Sequence, residues 1–305
     1  MVDAQTTASA LSAAITFKVQ QDVLPNLRAA LVWADRSYAR EGEFDMGTDA
    51  LMWVDVPDLA INTTALTEGT RPDKKALTLN TVTCSTTQYG DLVAITDIAK
   101  VKSPIQIAAI ATEHVSRQAA ESIDQVARDQ IALGGTVMFQ GANTTRAGIG
   151  AGEIITVADL NKLKAKMFAG KIPPFADGFY RLFVSPGVDL DLRTDADFEE
   201  AYKYTDRMPL VKGETGAIAG FRVIKVVNAP TFSSTVTVHA SIAIGDLKGW
   251  GAGDLQTLRV YHVAPGGDHF DPLAQEELVG WKVNFGVAVL KNAFYFRYES
   301  AATAV

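Results

Sequence analysis

Apolar positions along the chain change period several times, and each change marks an element. Leu24, Leu27, Leu31, Val32 and Trp33 recur at helical spacing, with Pro25 tolerable in a first turn. An arm and a short helix are predicted up to about Arg40, and Glu41, Gly42 and Glu43 break the pattern into a linker. From Leu51 to Asp97 the period shortens to two. Leu51, Trp53, Val54 and Val56 mark one long strand, and Leu77, Leu79, Thr81, Thr83 and Ser85 mark a second. Residues 62–75 between them are too many for a tight turn and too rich in Thr, Gly and Pro for a helix, so they form an extended loop.

Ser103, Pro104 and Gln106 read as a cap, a first helical position and a capping-box partner. Ile105, Ala108, Ala111, Val115, Ala119, Ile123, Val126 and Ile131 then repeat at helical spacing until Gly134 and Gly135 stop them. This predicts a spine of roughly 45 Å at 1.5 Å per residue. A Gly-rich loop at 141–152 follows. Thr156 caps a helix over 157–169 whose lysines form a solvated face, and Pro173 and Pro174 end that region. Residues 179–184 read as a strand, Ser185 and Pro186 open a short helix to Leu192, and 198–204 form another helix. Strands are predicted at 221–227, 235–243 and 258–263, with a final pair at 278–290 and 293–298. The class is α+β, without internal repeats.

A two-stranded hairpin with a long polar tip cannot bury a face by itself and needs support. Long connections of this kind are usually functional, and the natural support is another subunit.

Composition narrows the function. With 305 residues, 48% hydrophobic and 21% charged, the chain can bury a large core. A net charge of −7 and a pI near 5.2 exclude a protein devoted to gripping nucleic-acid phosphates. Cys84 is the single cysteine, which excludes an intrachain disulfide and a cysteine metal knuckle. Residues 1–16 carry Asp3 and no basic residue, unlike a secretory signal. No stretch approaches the roughly 20 apolar residues needed to span a bilayer, so no membrane partner is expected.

Candidate chemistry is sparse. His262, Asp268, His269 and Asp271, around Gly266 and Gly267, carry ligand types suited to Zn or Mn, but their spacing matches no metal motif and they read as a polar turn. Gly148, Gly150 and Gly152 lack the Lys-Ser/Thr of a phosphate loop. Ser185 lies outside a nucleophile elbow, and the sequence places no histidine beside it. Asp189, Asp191, Asp195 and Asp197 could pair as catalytic carboxylates, yet acids at helix starts are expected from the helix dipole. Cys84 reads as a small core residue, and His114 and His239 as packing or surface residues. No catalytic residue, metal or cofactor is assigned.

The order of parts is arm, extended hairpin, long spine, α/β region and returning strands. It resembles the Johnson fold of major capsid proteins of tailed bacteriophages and herpesviruses. The local sequence is similar to phage coat proteins. Leu66, Thr67, Glu68, Gly69, Thr70, Arg71 and Pro72, the run 77–83, and 88–97 resemble that family's extended loop and its exit. Residues 180–186, Leu192 to Asp195, and 213–223 look like parts of its axial domain.

The resemblance implies an N-terminal arm and short helix at 1–50 and an extended loop at 51–98. A peripheral domain with the spine follows at 99–155, an axial domain at 156–270, and returning peripheral strands at 271–305. It implies a non-enzymatic major capsid protein that packs as pentamers and hexamers into an icosahedral head around double-stranded DNA. Leu66 to Pro72, with Lys74 and Lys75, would lie over the adjacent subunit. Some shells of this fold are cross-linked from a loop lysine to an Asn; for Lys74 and Lys75 the simpler expectation is contact with an acidic neighbour.

The implied partners are the portal and separate scaffolding or decoration proteins, since only about fifty residues precede the hairpin. Packaged DNA would be contacted non-specifically, which suits an acidic wall that must not adhere to it. The implied location is the virion capsid, assembled in the host cytoplasm. An encapsulin-like bacterial nanocompartment shares the fold and is the alternative. A metal-dependent enzyme using the loop from His262 to Asp271 is a rival of another class.

Overall fold

The structure is a computed structural model that describes residues 32–43, 50–66, 68–69, 71–103, 106–196, 217–266, 271 and 273–303. In chain order its strands and helices are β1 (Arg40–Glu43), β2 (Ala50–Asp55), β3 (Asn80–Ser85), β4 (Thr87–Thr96), α1 (Asp97–Lys102), α2 (Ile107–Leu133), β5 (Thr136–Phe139), α3 (Val157–Ala169), β6 (Tyr180–Val184), α4 (Pro186–Thr194), β7 (Ala217–Ile218), β8 (Phe221–Lys225), β9 (Thr231–Ser233), β10 (Thr237–Ile244), β11 (Trp250–Val263), β12 (Glu276–Val289) and β13 (Tyr295–Ser300). The mixture is α+β, as predicted.

The spine α2 lies on a four-stranded sheet ordered β1-β11-β12-β4. Alternate residues of β12, Val279, Trp281, Val283 and Phe285, face the helix and meet Val115 and Ala119 with Ile95 of β4. The 27 residues of α2 span about 40 Å. Its start differs from expectation. Thr96 caps α1 through the N–H of Ala99, and Ser103 closes that short helix by donating its N–H to the Ala99 carbonyl, so Ser103 does not cap the spine. Gln106 precedes α2 without a side-chain cap; Pro104 and Ile105 lie outside the described residues. A separate α1 exists because it is tied down independently, Lys100 pairing with Glu277 and the Asp97 N–H reaching the Gln275 carbonyl. The glycine stop is as predicted: Gly135 takes φ 84°, in the left-handed region.

The second sheet has seven strands, ordered β5-β13-β10-β6-β8-β7 with β9 on β10. On one face α3 and α4 bury Leu160, Leu163, Met167, Val188 and Leu192 against Leu182, Val184 and Phe221. On the other face Phe183, Ile242, Ile244 and Tyr295 meet Ile131 of the spine and Trp33 and Ala39 of the leading segment. The Thr156 hydroxyl and the Asp159 side chain form a reciprocal capping box that starts α3 where predicted. Ser185 caps α4 with Pro186 at its first position.

Several expectations are corrected. Residues 32–39 run in turns and 40–43 form β1, a parallel edge strand on β11, where a helix and a linker were expected. A single carboxylate causes this: Asp124 of the spine accepts the N–H groups of Val32, Trp33 and Ala34 at 3.0, 2.7 and 3.0 Å, holding the segment in a turn. The helical positions Leu24, Leu27 and Leu31, with Pro25, lie outside the described residues, as does the helix predicted at 198–204. The strands predicted as a final pair do not pair with each other. β12 belongs to the spine sheet, and β13 lies between β5 and β10.

Candidate functional site

β2 and β3 pair antiparallel with Leu51 opposite Cys84, Trp53 opposite Val82 and Asp55 opposite Asn80. Period-two alternation turns Leu51, Trp53 and Cys84 inward and leaves Met52 and Val54 in solvent. The inward face lies on glycines of β1, β11 and β12. A β-carbon on Gly251 would fall 2.6 Å from the Trp53 ring, and one on Gly286 would fall 2.6 Å from the Ser85 carbonyl oxygen and 2.8 Å from Cys84 Sγ. A β-carbon on Gly42 would overlap the Leu51 side chain. The seat is flat because it lacks side chains. An ion pair between Lys291 and Asp55 (3.1 Å) closes the last rung.

Beyond that rung the chain leaves the body. Every described residue from 58 to 80 is exposed, among them Glu68, Gly69, Arg71, Pro72, Lys74 and Lys75, and Leu66 is 73% exposed; Thr67 and Thr70 lie outside the described residues. β3 begins at Asn80, so Leu77 and Leu79, predicted to lie in the strand, remain in the loop. They have the right period but no strand opposite, because β2 pairs no further than Asp55. Leu59, Ile61, Leu66, Leu77 and Leu79 are all more than half exposed. Burying each such side chain would be worth roughly 1.5–3 kcal/mol.

The residues considered for chemistry are dispersed. Asp189 pairs with Arg193 (3.1 Å) and Lys225 (3.3 Å), Asp191 accepts the Thr303 N–H (3.0 Å), and Asp195 accepts the Val157 N–H (2.9 Å); Asp197 lies outside the described residues. The fold brings a histidine to Ser185, which the sequence did not reveal: His239 Nδ1 lies 2.9 Å from Ser185 Oγ. That oxygen also accepts the Val188 N–H at the start of α4, and Ser185 is buried. Burial lowers the His239 pKa below its ordinary value, with nearby Asp191 opposing in part.

His262 pairs with Glu277, whereas Asp271 accepts the Glu276 N–H (2.8 Å); Gly267, Asp268 and His269 lie outside the described residues. No group of three metal-ligating side chains occurs among the described residues. In the loop from Gly148 to Gly152, Glu153 accepts the Gly150 N–H at 2.6 Å, so a carboxylate occupies the place a phosphate would need. His114 lies 2.8 Å from an Arg117 nitrogen. Burial raises the Cys84 thiol pKa, which makes it a poor nucleophile.

Sequence reasoning missed the buried acids that hold the body together. Glu299 is fully buried and receives both Arg146 (2.7 Å) and Arg297 (2.9 Å), while Arg146 stacks on Phe232 at 3.6 Å. Arg297 also donates to the carbonyls of Ala132 and Gly134 at the spine's C-terminal end, where a cation is favoured. Burial tends to raise the Asp159 pKa, but its bonds to Thr156, Lys162 and Gln140 outweigh this and leave it below the usual carboxylate value.

The arrangement is a body with an outreaching, partly apolar loop, and it matches known shell proteins over nearly its whole length. The capsid of cyanophage P-SCSP1u superposes with a TM-score of 0.74 at 16% identity, over 99% of this chain and 97% of that one. The head of Helicobacter pylori bacteriophage KHP40 gives 0.73 at 12% identity, over 99% and 100%. The cyanophage Pam1 capsid gives 0.73 at 14% identity, over 99% and 100%. No curated protein matches by sequence. These likenesses establish the fold as the Johnson fold of tailed-phage major capsid proteins. The model of the phage capsid protein family matches residues 78–301, and the chain belongs to that family. It is a shell subunit whose work is association with copies of itself, and nothing in these likenesses favours an encapsulin-like compartment.

Proposed function

We propose that this capsid protein closes an icosahedral head around double-stranded DNA by packing in rings of five and six, each extended loop lying over the adjacent subunit. The observation that carries this reading is the unbroken exposure of the described residues from 58 to 80, with five large aliphatic side chains among them. Leu66, Glu68, Gly69, Arg71, Pro72, Lys74 and Lys75, with Thr67 and Thr70, are the proposed contact residues. The proposed bodies are an arm at 1–50, the loop at 51–98, a peripheral body at 99–155 and 271–305, and an axial body at 156–270. Strand pairing favours two departures from those bounds, since β11 (250–263) pairs with β12 in the sheet under the spine and β13 (295–300) pairs with β5 and β10 in the other sheet.

The role is structural and not enzymatic: in the one serine–histidine contact among the described residues the serine is buried and already caps a helix. Portal, separate scaffolding or decoration proteins, and DNA held without sequence preference, are the proposed partners, and assembly takes place in the host cytoplasm before the shell becomes part of the virion.

Deleting residues 62–75 tests the reading by negative-stain microscopy and sedimentation velocity. The expected result is a folded subunit that forms no shells. Normal shells from the deletion would overturn it.

A further inference from the structure

Helix α3 carries two stripes where a surface helix needs one. The first, Leu160, Leu163 and Met167, is buried against the seven-stranded sheet. The second runs along the outward side through Ala158, Asn161, Ala165 and Phe168, all exposed. Its intervals of three, four and three residues are those of the a and d positions of a coiled-coil seam. Phe168, at the end of the seam, is 80% exposed, an aromatic ring left in water.

The flanks of the seam are cationic. Lys162 and Lys164 stand about 80° to either side of its centre, and Lys166 lies one turn beyond Lys162. Lys162 pairs with Asp159 (2.9 Å) but remains largely exposed, and neither Lys164 nor Lys166 has an anionic partner among the described residues. Residues 157–171 hold four lysines against one aspartate, in a chain whose net charge is −7. These features select an occupant. A second α3 is excluded, since a parallel pair sets Lys164 against Lys162 and an antiparallel pair sets each lysine against itself. A DNA duplex would satisfy the lysines and leave the Phe168 ring without an apolar partner. An acidic helix satisfies both, its carboxylates meeting the lysines and its large apolar side chains filling the space over Ala158 and Ala165.

We infer that the outward face of α3 docks an acidic amphipathic helix of a separate protein, with Phe168 as the apolar anchor and Lys162 and Lys164 as the flanking cations. The inference rests on the reading that separate proteins join this shell, names the surface one of them takes, and is independent of the extended loop. The seam from Ala158 to Phe168 is about 15 Å long. A single contact of that length is weak, and repetition of the site over a shell of many copies supplies the avidity.

The test uses purified subunits and a labelled three-heptad helical peptide with Leu at its seam positions and Glu on its flanks, read by fluorescence anisotropy. This peptide is expected to bind at least about tenfold tighter than the same peptide with Lys on its flanks, and tighter by the same margin than a short DNA duplex. Phe168→Ala and Lys164→Glu should each weaken it at least about tenfold. Both positions are exposed, so the thermal midpoint of either variant should not move. Tighter binding of the duplex would make the face a nucleic-acid surface, and an unaltered affinity in Phe168→Ala would reduce it to unspecific charge attraction; either overturns the proposal. In particles made with the neighbouring genes, Phe168→Ala is expected to lower the content of one second protein at least about tenfold. Unchanged content would overturn the docking face and leave the partner reading intact. Wild-type particles built of this chain alone at every stage of assembly would remove the partner reading, and the docking face with it.

Discussion

The seven-stranded sheet and the hairpin are both β-structure, yet they handle their side chains in opposite ways. In the sheet, β13 is buried at every position and β6 at all but one, because helices α3 and α4 cover one face and the spine with residues 32–39 covers the other. Alternation disappears there, as expected for strands packed on both sides. The hairpin keeps strict alternation because only one face is seated, and the seat is made of glycine. The first region gains stability from interdigitated side chains, whereas the second stays thin and far-reaching because side chains were removed from beneath it.

Substitutions can break or sharpen this contrast. The largest effect is expected from Phe183→Ala, which deletes a buried ring packed 5.1 Å from both Trp33 and Tyr38. It should cost the subunit about 3–5 kcal/mol in urea unfolding, whereas Leu66→Ala should cost under about 0.5 kcal/mol yet lower shell yield. Equal losses would erase the distinction. Next, Glu299→Gln leaves Arg146 and Arg297 without their shared carboxylate and should cost about 3 kcal/mol, read as a fall in thermal midpoint.

Gly286→Ala places a methyl against the Ser85 carbonyl, a backbone group that cannot swing aside. A loss of about 1–3 kcal/mol is expected, with amide exchange accelerated in β2 and β3 but unchanged in β13. Acceleration in both regions would show that the hairpin and the sheet open as one unit.

The smallest effect concerns pH. Burial holds the folded His239 pKa below its ordinary 6.5, so the unfolded chain binds more protons in the window beneath that value. The contribution of His239 to stability is therefore complete above pH 6.5 and is lost as pH falls through the folded pKa. His239→Gln should flatten that part of the thermal midpoint against pH; an unchanged slope would mean that another group controls it.

Much of this architecture was legible where local chemistry and burial agree. Helix α3 occupies the predicted 157–169 because a capping box and a 3.6-residue apolar stripe point the same way. The hairpin and the exposure of its loop followed from period two and a Thr, Gly and Pro-rich connection. Other elements were illegible because their partners are distant in sequence. β1 reads Arg-Glu-Gly-Glu and is a strand only because β11 lies beside it. Ser103 looked like the cap of the spine, but the docking of α1 on β12 decided its role. Asp124 and Glu299 carry no local signal of burial, because Trp33 and Arg146, which bind them, lie about ninety and one hundred and fifty residues away.

The placement of β13 bears on how the protein is made. Residues 295–300 fill the gap between β5 and β10, and Tyr295 packs against Trp250 and the spine's closing glycines. The seven-stranded sheet therefore stays in two pieces until the ribosome has released residue 300, however early the spine and hairpin take shape. A chain cut short by stalled synthesis or by a protease lacks the strand that joins its halves, and with it the Glu299 carboxylate. Such a fragment lacks the completed sheet, so proofreading for full-length copies is built into the topology before any subunit joins the wall.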